Sequence, residues 1–252
     1  LTFSMDGVPY LNKAQIAADM NIDADIENSK FTLEENTLQL NAIKAAVDGW
    51  VAMTDEGMDM DLKLNSNKIG FKEVLSLIPA IYSKDFEGLK TNGNATLTAW
   101  AKGSLQGDSI VPAFDLAFDV ENAMFQYPSL PAGVNNINIA AQVSNTGGSP
   151  DNTVIKVNPF NFVMAGNPFC VTATMQTPMS DLAFTAAAKG KLNLGKIKEI
   201  YPLEDMQLNG VVDADIAVKG RMSHIEKEQY EKIEAAGNVR LNDMILTLED
   251  MP

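Results

Sequence analysis

Few side chains in this sequence are placed to do chemistry. The only histidine is His224 and the only cysteine is Cys170. A Ser-His-Asp or Cys-His centre needs an imidazole held as base beside its nucleophile. His224 instead follows Ser223 in the first turn of a helical stretch, where it reads as a surface residue. Cys170 comes after Gly166-Asn167-Pro168-Phe169 and opens an alternating strand, the setting of a small buried thiol. One cysteine excludes an intrachain disulfide and a cysteine-based zinc site. Neither a P-loop, a GxGxxG fingerprint nor an HExxH helix occurs.

Carboxylates are the one reactive class in excess, with 33 Asp and Glu against 19 Lys and Arg. Asp19, Asp23 and Asp25, and again Asp59 and Asp61, recur at two-residue spacing. A calcium loop converges its ligands on one point, and a straight strand does not. A glycosidase would need paired carboxylates in a cleft with aromatic platforms, yet Trp50 and Trp100 stand alone and far apart in sequence. Solvated charge that discourages sheet-to-sheet aggregation is the better account. The expectation is a protein without enzymatic activity, cofactor or metal. A net charge of −14 and a pI near 4.4 also oppose binding to nucleic acid or to an anionic membrane surface.

The elements that carry these residues are strands. Apolar and polar residues alternate at 16–26, where Ile16, Ala18, Met20, Ile22, Ala24 and Ile26 oppose Asp19, Asn21, Asp23 and Asp25. Met58, Met60, Leu62 and Leu64 repeat the pattern, as do Leu97 and Ala99, then Leu116, Phe118 and Val120. So do Ile137, Ile139, Ala141 and Val143, then Val171, Ala173 and Met175. Leu182, Phe184 and Ala186 and then Val212, Ala214, Ile216 and Val218 complete the set. One apolar and one polar face is the mark of antiparallel sheet. No apolar run approaches the roughly 18 residues of a membrane-spanning helix.

The chain also repeats itself about 122 positions apart. Asn92-Gly93 with Lys102-Gly103 matches Asn209-Gly210 with Lys219-Gly220. GFKEVLSLIPA (70–80) matches NLGKIKEIYPL (193–203), and IAADM (16–20) matches IAAQV (139–143). FSMDGVP (3–9), FQYPSLP (125–131) and LTLEDMP (246–252) start, divide and close the pattern. The reading is two tandem repeats, 1–124 and 125–252, in one continuous sheet. The pattern begins in mid-repeat at Leu1 with no initiator Met and no signal peptide, as expected of a fragment of a longer protein.

Helix signals are few. Residues 70–82 and 194–201 each suggest a short helix, and Ser223-x-x-Glu226 reads as a capping box opening a third that runs to a stop at Gly237. On the order of fourteen strands then share two or three short helices, too few to cover one face of the sheet. The fold class is mainly β: an elongated, curled antiparallel sheet, either folded into a sandwich or open as a trough. The apolar positions hold Ala, Val, Ile, Leu and many of the 13 Met, and Met suits a surface that accepts varied ligands.

The run from GFKEVLSLIPAIY through LKTNGNATLTAWAKG, FDLAFDVENAMFQYPSLP and GVNNINIAAQV resembles the C-terminal repeat region of AsmA-like proteins, envelope proteins of Gram-negative bacteria related to TamB. The resemblance covers essentially the whole chain through an ordered series of weak motifs. It departs at LTLEDMP, which lacks the Tyr-Pro of FQYPSLP. The frequent Asn and Asp and the Met-rich strands resemble a Bacteroidetes member. The resemblance implies a periplasmic body, an inner-membrane anchor outside these residues and a role in outer-membrane biogenesis. It also implies likeness to bridge-type lipid transporters, whose stacked repeats build a β trough with an apolar floor. The lipid-groove residues expected on that floor are Ile16, Ala18, Met20, Ile22, Met58, Met60, Leu62, Leu97, Ala99, Leu116, Phe118, Val120, Ile137, Ile139, Val171, Ala173, Met175, Leu182, Phe184, Val212, Ala214 and Ile216. The partners it implies are a phospholipid or lipid A type molecule, neighbouring repeats of the parent chain and envelope proteins. The alternative is a structural scaffold for outer-membrane assembly, whose edge strands pair with a partner.

Overall fold

Alternation of period two, repeated with turn residues between the runs, builds one long antiparallel sheet in the computed structural model, which describes residues 3–5, 8–11, 15–75, 88–201 and 206–248. A two-stranded ribbon, β1 (Phe3–Met5) and β2 (Val8–Leu11), comes first. The main sheet then runs through β3 (Ile16–Asp19), β4 (Ile22–Asp25), β5 (Lys30–Leu40), β6 (Ile43–Thr54) and β7 (Gly57–Gly70). Helix α1 (Phe71–Leu75) precedes β8 (Lys90–Leu105), β9 (Val111–Gln126), β10 (Val134–Gly148), β11 (Val154–Met164), β12 (Asn167–Gln176) and β13 (Ala183–Asn193). A 3-10 turn (Pro150–Asn152) separates β10 from β11, and a second (Leu194–Glu199), β14 (Met206–Arg221), helix α2 (Met222–Glu226), a third (Tyr230–Lys232) and β15 (Glu234–Leu248) complete the order.

From β5 to β15 every strand pairs with its neighbour in sequence, and β3 and β4 both pair with β5. Among the described residues the thirteen strands do not close on themselves, and β15 and the β3/β4 pair are the outer strands. The mainly β, antiparallel character expected from the alternation is therefore the architecture. The 124/125 division between repeats lies inside β9, and the ladder continues across it from β8 to β10.

The two copies share their irregularities as well as their strands. In the β8–β9 ladder Asn92 faces Met124 and Asn94 faces Glu121, with Gly93 on one strand and Asn122-Ala123 on the other left out of register. In β14–β15, Asn209 faces Ile245 and Val211 faces Asn242, leaving out Gly210 and Asp243-Met244. The bulged residues adopt left-handed backbone in both copies, with φ of 108° and 47° at Gly93 and Asn122 and of 113° and 51° at Gly210 and Asp243. Gly93 also lies so close to β9 that a Cβ would come within 2.4 Å of the Ala123 Cα. A bulge of this kind increases local twist and bends a long sheet.

The core gathers where α1 lies on the sheet. Phe71 and Leu75 of α1 pack with Ile69, Leu89, Ala95, Val120, Ala123, Tyr127 and Ile137. The larger of these, Phe71, Leu75, Ile69, Leu89, Val120 and Ile137, each contribute about 1.5–3 kcal/mol on burial. The counterpart in the second copy is Ile200, buried just after its 3-10 turn. Tyr127 and Tyr201 meet edge to face at 5.7 Å, and the Ala132 N–H donates to the Glu199 carbonyl at 3.0 Å. The Tyr-Pro-x-Leu-Pro loop that opens the second repeat is thus clasped to the helical turn of the same repeat.

Three helix expectations change. Only Phe71–Leu75 of the first is a helix among the described residues, and 76–82 lie outside them. The second is a 3-10 turn. The third stops at Glu226, and the capping box is not formed: the cap position is Arg221, without a side-chain bond, and Ser223 bonds Asp181 instead. Glu234, Ala235, Ala236 and Gly237 are strand, paired with Lys219, Val218, Ala217 and Ile216. Helix propensity in IEKEQYEKIEA is a weak preference, and the ladder offered by β14 outweighs it. Gly237 is no helix stop. At φ 114° it lets β15 approach so closely that a Cβ would meet the Asp215 carbonyl oxygen at 2.0 Å.

Candidate apolar face for ligand binding

Cross-strand pairing turns alternation along single strands into rows across the sheet. One row runs Ile69, Ala95, Val120, Ile139, Phe160, Val171, Ala188, Ile216 and Gly237, each opposite the next. Beside it run Ser66, Leu97, Phe118, Ala141, Val157, Ala173, Ala186, Val218 and Ala235. A third runs Asn36, Val47, Leu64, Ala99, Leu116, Val143, Ile155, Met175, Phe184 and Gly220. At about 4.8 Å per strand, the rows from β7 to β15 are roughly 38 Å long. That exceeds the ~15 Å of one leaflet of a bilayer's hydrocarbon core.

The expected groove residues that lie in strands fall on this one face. Met58, Met60 and Leu62 face Leu105, Gly103 and Ala101 across β7–β8, and Gly190 faces Ala214 while Leu192 faces Val212 across β13–β14. Ile137 faces Ala123 beside Ile139. Ile16 and Ala18 pair with Leu40 and Leu38, and Ile22 pairs with Leu33. Met20 lies between β3 and β4, and Leu182 lies just before β13, so neither is a strand residue.

Exposure divides the set. Met60, Val120, Ile137 and Ala214 are buried by the protein itself. Ile16, Ala18, Met20 and Ile22 are exposed along the β3/β4 edge. The remaining residues are half-buried. The decisive stretch is β11–β13, where no residue is buried. A second sheet packed on that face would bury every other residue of these strands. No second sheet closes that face, whose residues are half-buried, with Phe160 and Phe162 packed against the core.

No residue of β5, β6 or β11 was on the expected floor. Phe31, Val51, Ile155, Val157, Phe160 and Phe162 share the face through their ladder partners. In β11 the register shifts between Val157 and Phe160, so the alternation changes phase in mid-strand and hides the pattern. The partial signal was Phe160-x-Phe162-x-Met164, which alternates within its own half.

The opposite face carries the charge. Asp61 pairs with Lys102 at 2.8 Å, Asp215 with Lys189 at 2.8 Å, and Asp59 accepts from the Ser104 hydroxyl at 2.5 Å. The partner carboxylates raise both lysine ammonium groups above their ordinary values. Lys30 lies 4.6 Å from the Trp50 ring centroid. Concavities of about 450 Å³ at Asn138, Asn161, Cys170 and Lys189 and about 350 Å³ at Thr172, Ala187, Asp215 and Ala217 are open to solvent and lined mostly by small side chains. They hold no converging set of polar groups, which a small-molecule site requires. Among the described residues no group of three His, Cys, Asp or Glu side chains could hold a metal ion, and no helix is long and apolar enough to cross a membrane.

His224 lies in α2, with its Nδ1 buried and without a hydrogen-bond partner, beside a hollow of about 330 Å³ lined in part by Lys219, Arg221, Lys232 and Glu234. The nearby carboxylate Asp181 is engaged elsewhere. It accepts from the Ser223 backbone N–H at 3.1 Å, from the Ser223 hydroxyl at 2.9 Å and from Arg221 at 3.3 Å. The Ser223 amide above all, with the hydroxyl and Arg221, holds its carboxyl below the ordinary aspartate range. A depressed carboxylate stabilises the folded state above its unfolded pKa and loses that contribution as pH falls through the folded one. The protection factor of the Ser223 amide against hydrogen exchange, its rate set against the intrinsic rate at each pH, is therefore expected to hold at neutral pH and to fall only below the ordinary aspartate range. An Asp181→Asn variant should exchange quickly at neutral pH already.

Comparison with protein-family models, with curated proteins and with solved structures finds no match to this chain. The apolar face, closed by no second sheet over β11–β13, therefore carries the functional argument.

Proposed function

We propose that the chain is a lipid-binding or lipid-conducting module, with the apolar face of its sheet as the floor of a trough. The observation that carries this reading is the set of continuous apolar rows from β7 to β15, closed by no second sheet over β11–β13. Contiguous apolar surface of this extent is uncommon on soluble monomers and marks a site for apolar ligands or partners. An acyl chain laid along a row is held by non-directional burial, worth about 0.8 kcal/mol per methylene. Small floor residues such as Ala141, Ala173, Ala186 and Ala188 leave room for it, and Met58 and Met175 adapt to its shape. The headgroup stays at the rim in water. Binding and passage along the rows need no catalytic residue.

The same reading places the module in the periplasm, within an AsmA-like envelope protein whose anchor lies in the inner membrane and whose work supports outer-membrane biogenesis. That assignment rests on the ordered repeat motifs and on the agreement of a long, unclosed sheet with a trough. Native mass spectrometry of the gently purified chain, followed by organic extraction, tests it. Phospholipid or a lipid A type molecule near one equivalent per chain is expected. A chain that stays bare when purified from membranes and when offered phospholipid vesicles would overturn it in favour of a protein scaffold.

A further inference from the structure

We propose that the hollow of about 330 Å³ beside His224 binds a phosphate group carried by a water-soluble molecule. Its walls are the ends of β12, β13 and β14, the start of β15, and the excursion between β14 and β15 that holds α2. Lys219, Arg221 and Lys232 bring three positive charges to it, and Glu234 brings one negative charge. The chain carries a net charge of −14, so the hollow reverses the sign of the molecule locally. Two hydroxyl-bearing residues, Thr174 and Thr185, face each other across β12–β13 in the same wall.

The two copies of the repeat differ at this place. Because Lys102-Gly103 matches Lys219-Gly220, Lys219 and Arg221 hold the positions of Lys102 and Ser104. In the first copy Lys102 is paired with Asp61 at 2.8 Å and Ser104 donates to Asp59 at 2.5 Å, each to the residue facing it across β7–β8. In the second copy the residues facing Lys219 and Arg221 are Thr185 and Ala183. Neither is a carboxylate. The connections differ too. Strands β8 and β9 are joined by a short turn at Gln106–Ile110, whereas α2 and a 3-10 turn join β14 to β15 and add His224 and Lys232. Binding residues concentrate on such connections over a shared framework.

The cations of the hollow keep most of their charge for a ligand. Lys219 lies 3.6 Å from Glu234, and with those side chains 63% and 76% exposed the pair is weak in water. Lys232 donates to a neutral group, the side-chain oxygen of Gln229. Arg221 is bonded to Asp181 through Nη1, and a guanidinium fork is well shaped for phosphate oxygens. Nδ1 of His224 is buried without a hydrogen-bond partner, a state that calls for one. As the Nδ1–H tautomer it is a donor for an anion. Thr174, Thr185 and Lys219 alternate with Met175, Phe184 and Gly220 of the apolar rows, so the sheet stands between hollow and floor. A phosphate held there comes from water and not from the head of a lipid on the floor. The site does not depend on whether the floor takes lipid.

His224 is the only histidine, so its imidazole gives a single set of NMR signals. Titration at fixed pH with inorganic phosphate, and separately with glycerol 3-phosphate, should shift those signals and the Thr185 and Lys219 amides to saturation. Added salt should weaken the response. Lys219→Gln with Lys232→Gln should weaken binding about tenfold or more. Glu234→Gln removes the one carboxylate of the wall and should tighten binding about two- to threefold. A gain of affinity does not arise from misfolding, so this variant decides the matter even if the double variant is damaged. Lys189→Gln, on the same face but outside the hollow, should change nothing. The absence of saturation with both compounds overturns the proposal. So does equal weakening by Lys189→Gln, or a response to phosphatidylglycerol vesicles alone, which would make the ligand a membrane headgroup.

Discussion

Placing glutamate at both Ala173 and Ala186 is expected to strip bound lipid from the chain and to leave its melting temperature within a few degrees of that of the lipid-free wild type, since ligand stabilisation is lost and two facing carboxylates repel only weakly in water. The two alanines face each other across β12–β13, in the middle of the stretch where no residue is buried. About ten methylenes on the floor would contribute roughly 8 kcal/mol before the costs of binding. Two carboxylates that must be desolvated beneath the acyl chain cost several kcal/mol each, which cancels that gain. Without ligand both side chains reach water, so folding is little affected. Native mass spectrometry reads occupancy and calorimetry reads stability. The control is Ala187→Glu, between Thr172 and Ala217 on the polar face. It should retain lipid in full. Equal loss in both variants would show that the floor is not the binding face.

Val120→Asp is expected to cost far more stability than Leu241→Asp, although the two residues hold the same place in their repeats. Val120 is closed in by Ala95, Ile139 and the α1 cover. An unpaired charge there costs about 3–5 kcal/mol, a large share of the 5–15 kcal/mol that holds a typical protein folded. In a chain of this size that lowers the melting temperature by roughly 10 °C. Leu241 stands exposed on the outer strand β15, and an exposed substitution changes stability by no more than about 0.5 kcal/mol. Thermal unfolding of the two variants gives the comparison. Similar losses would mean that β15 is covered in solution.

The sequence carried its strands and faces openly because a period of two is a local signal. Each residue's side follows from its neighbours, and a slip by one would turn the whole apolar set into water. For that reason Leu97, Phe118, Val171, Ala173 and Phe184 could be assigned to one face from the chain alone, and the ladders put them there. The repeat was legible for the same reason, down to Gly93 and Gly210, because a left-handed bulge calls for particular residues in each copy. Strand β11 escaped because its alternation changes phase between Val157 and Phe160.

What depends on distant partners was decided only in the tertiary structure. The segment after Ser223 has the composition of a helix, yet β14 presents a ladder to Glu234–Leu248 and Asp181 takes the Ser223 hydroxyl that would have capped the helix. Whether an apolar residue ends up buried or open was likewise unreadable, since Val120 and Leu241 occur in the same pattern. Local sequence determines which way a side chain points. Only the packing of α1, of the Tyr127–Tyr201 clasp and of the next strand determines what meets it there.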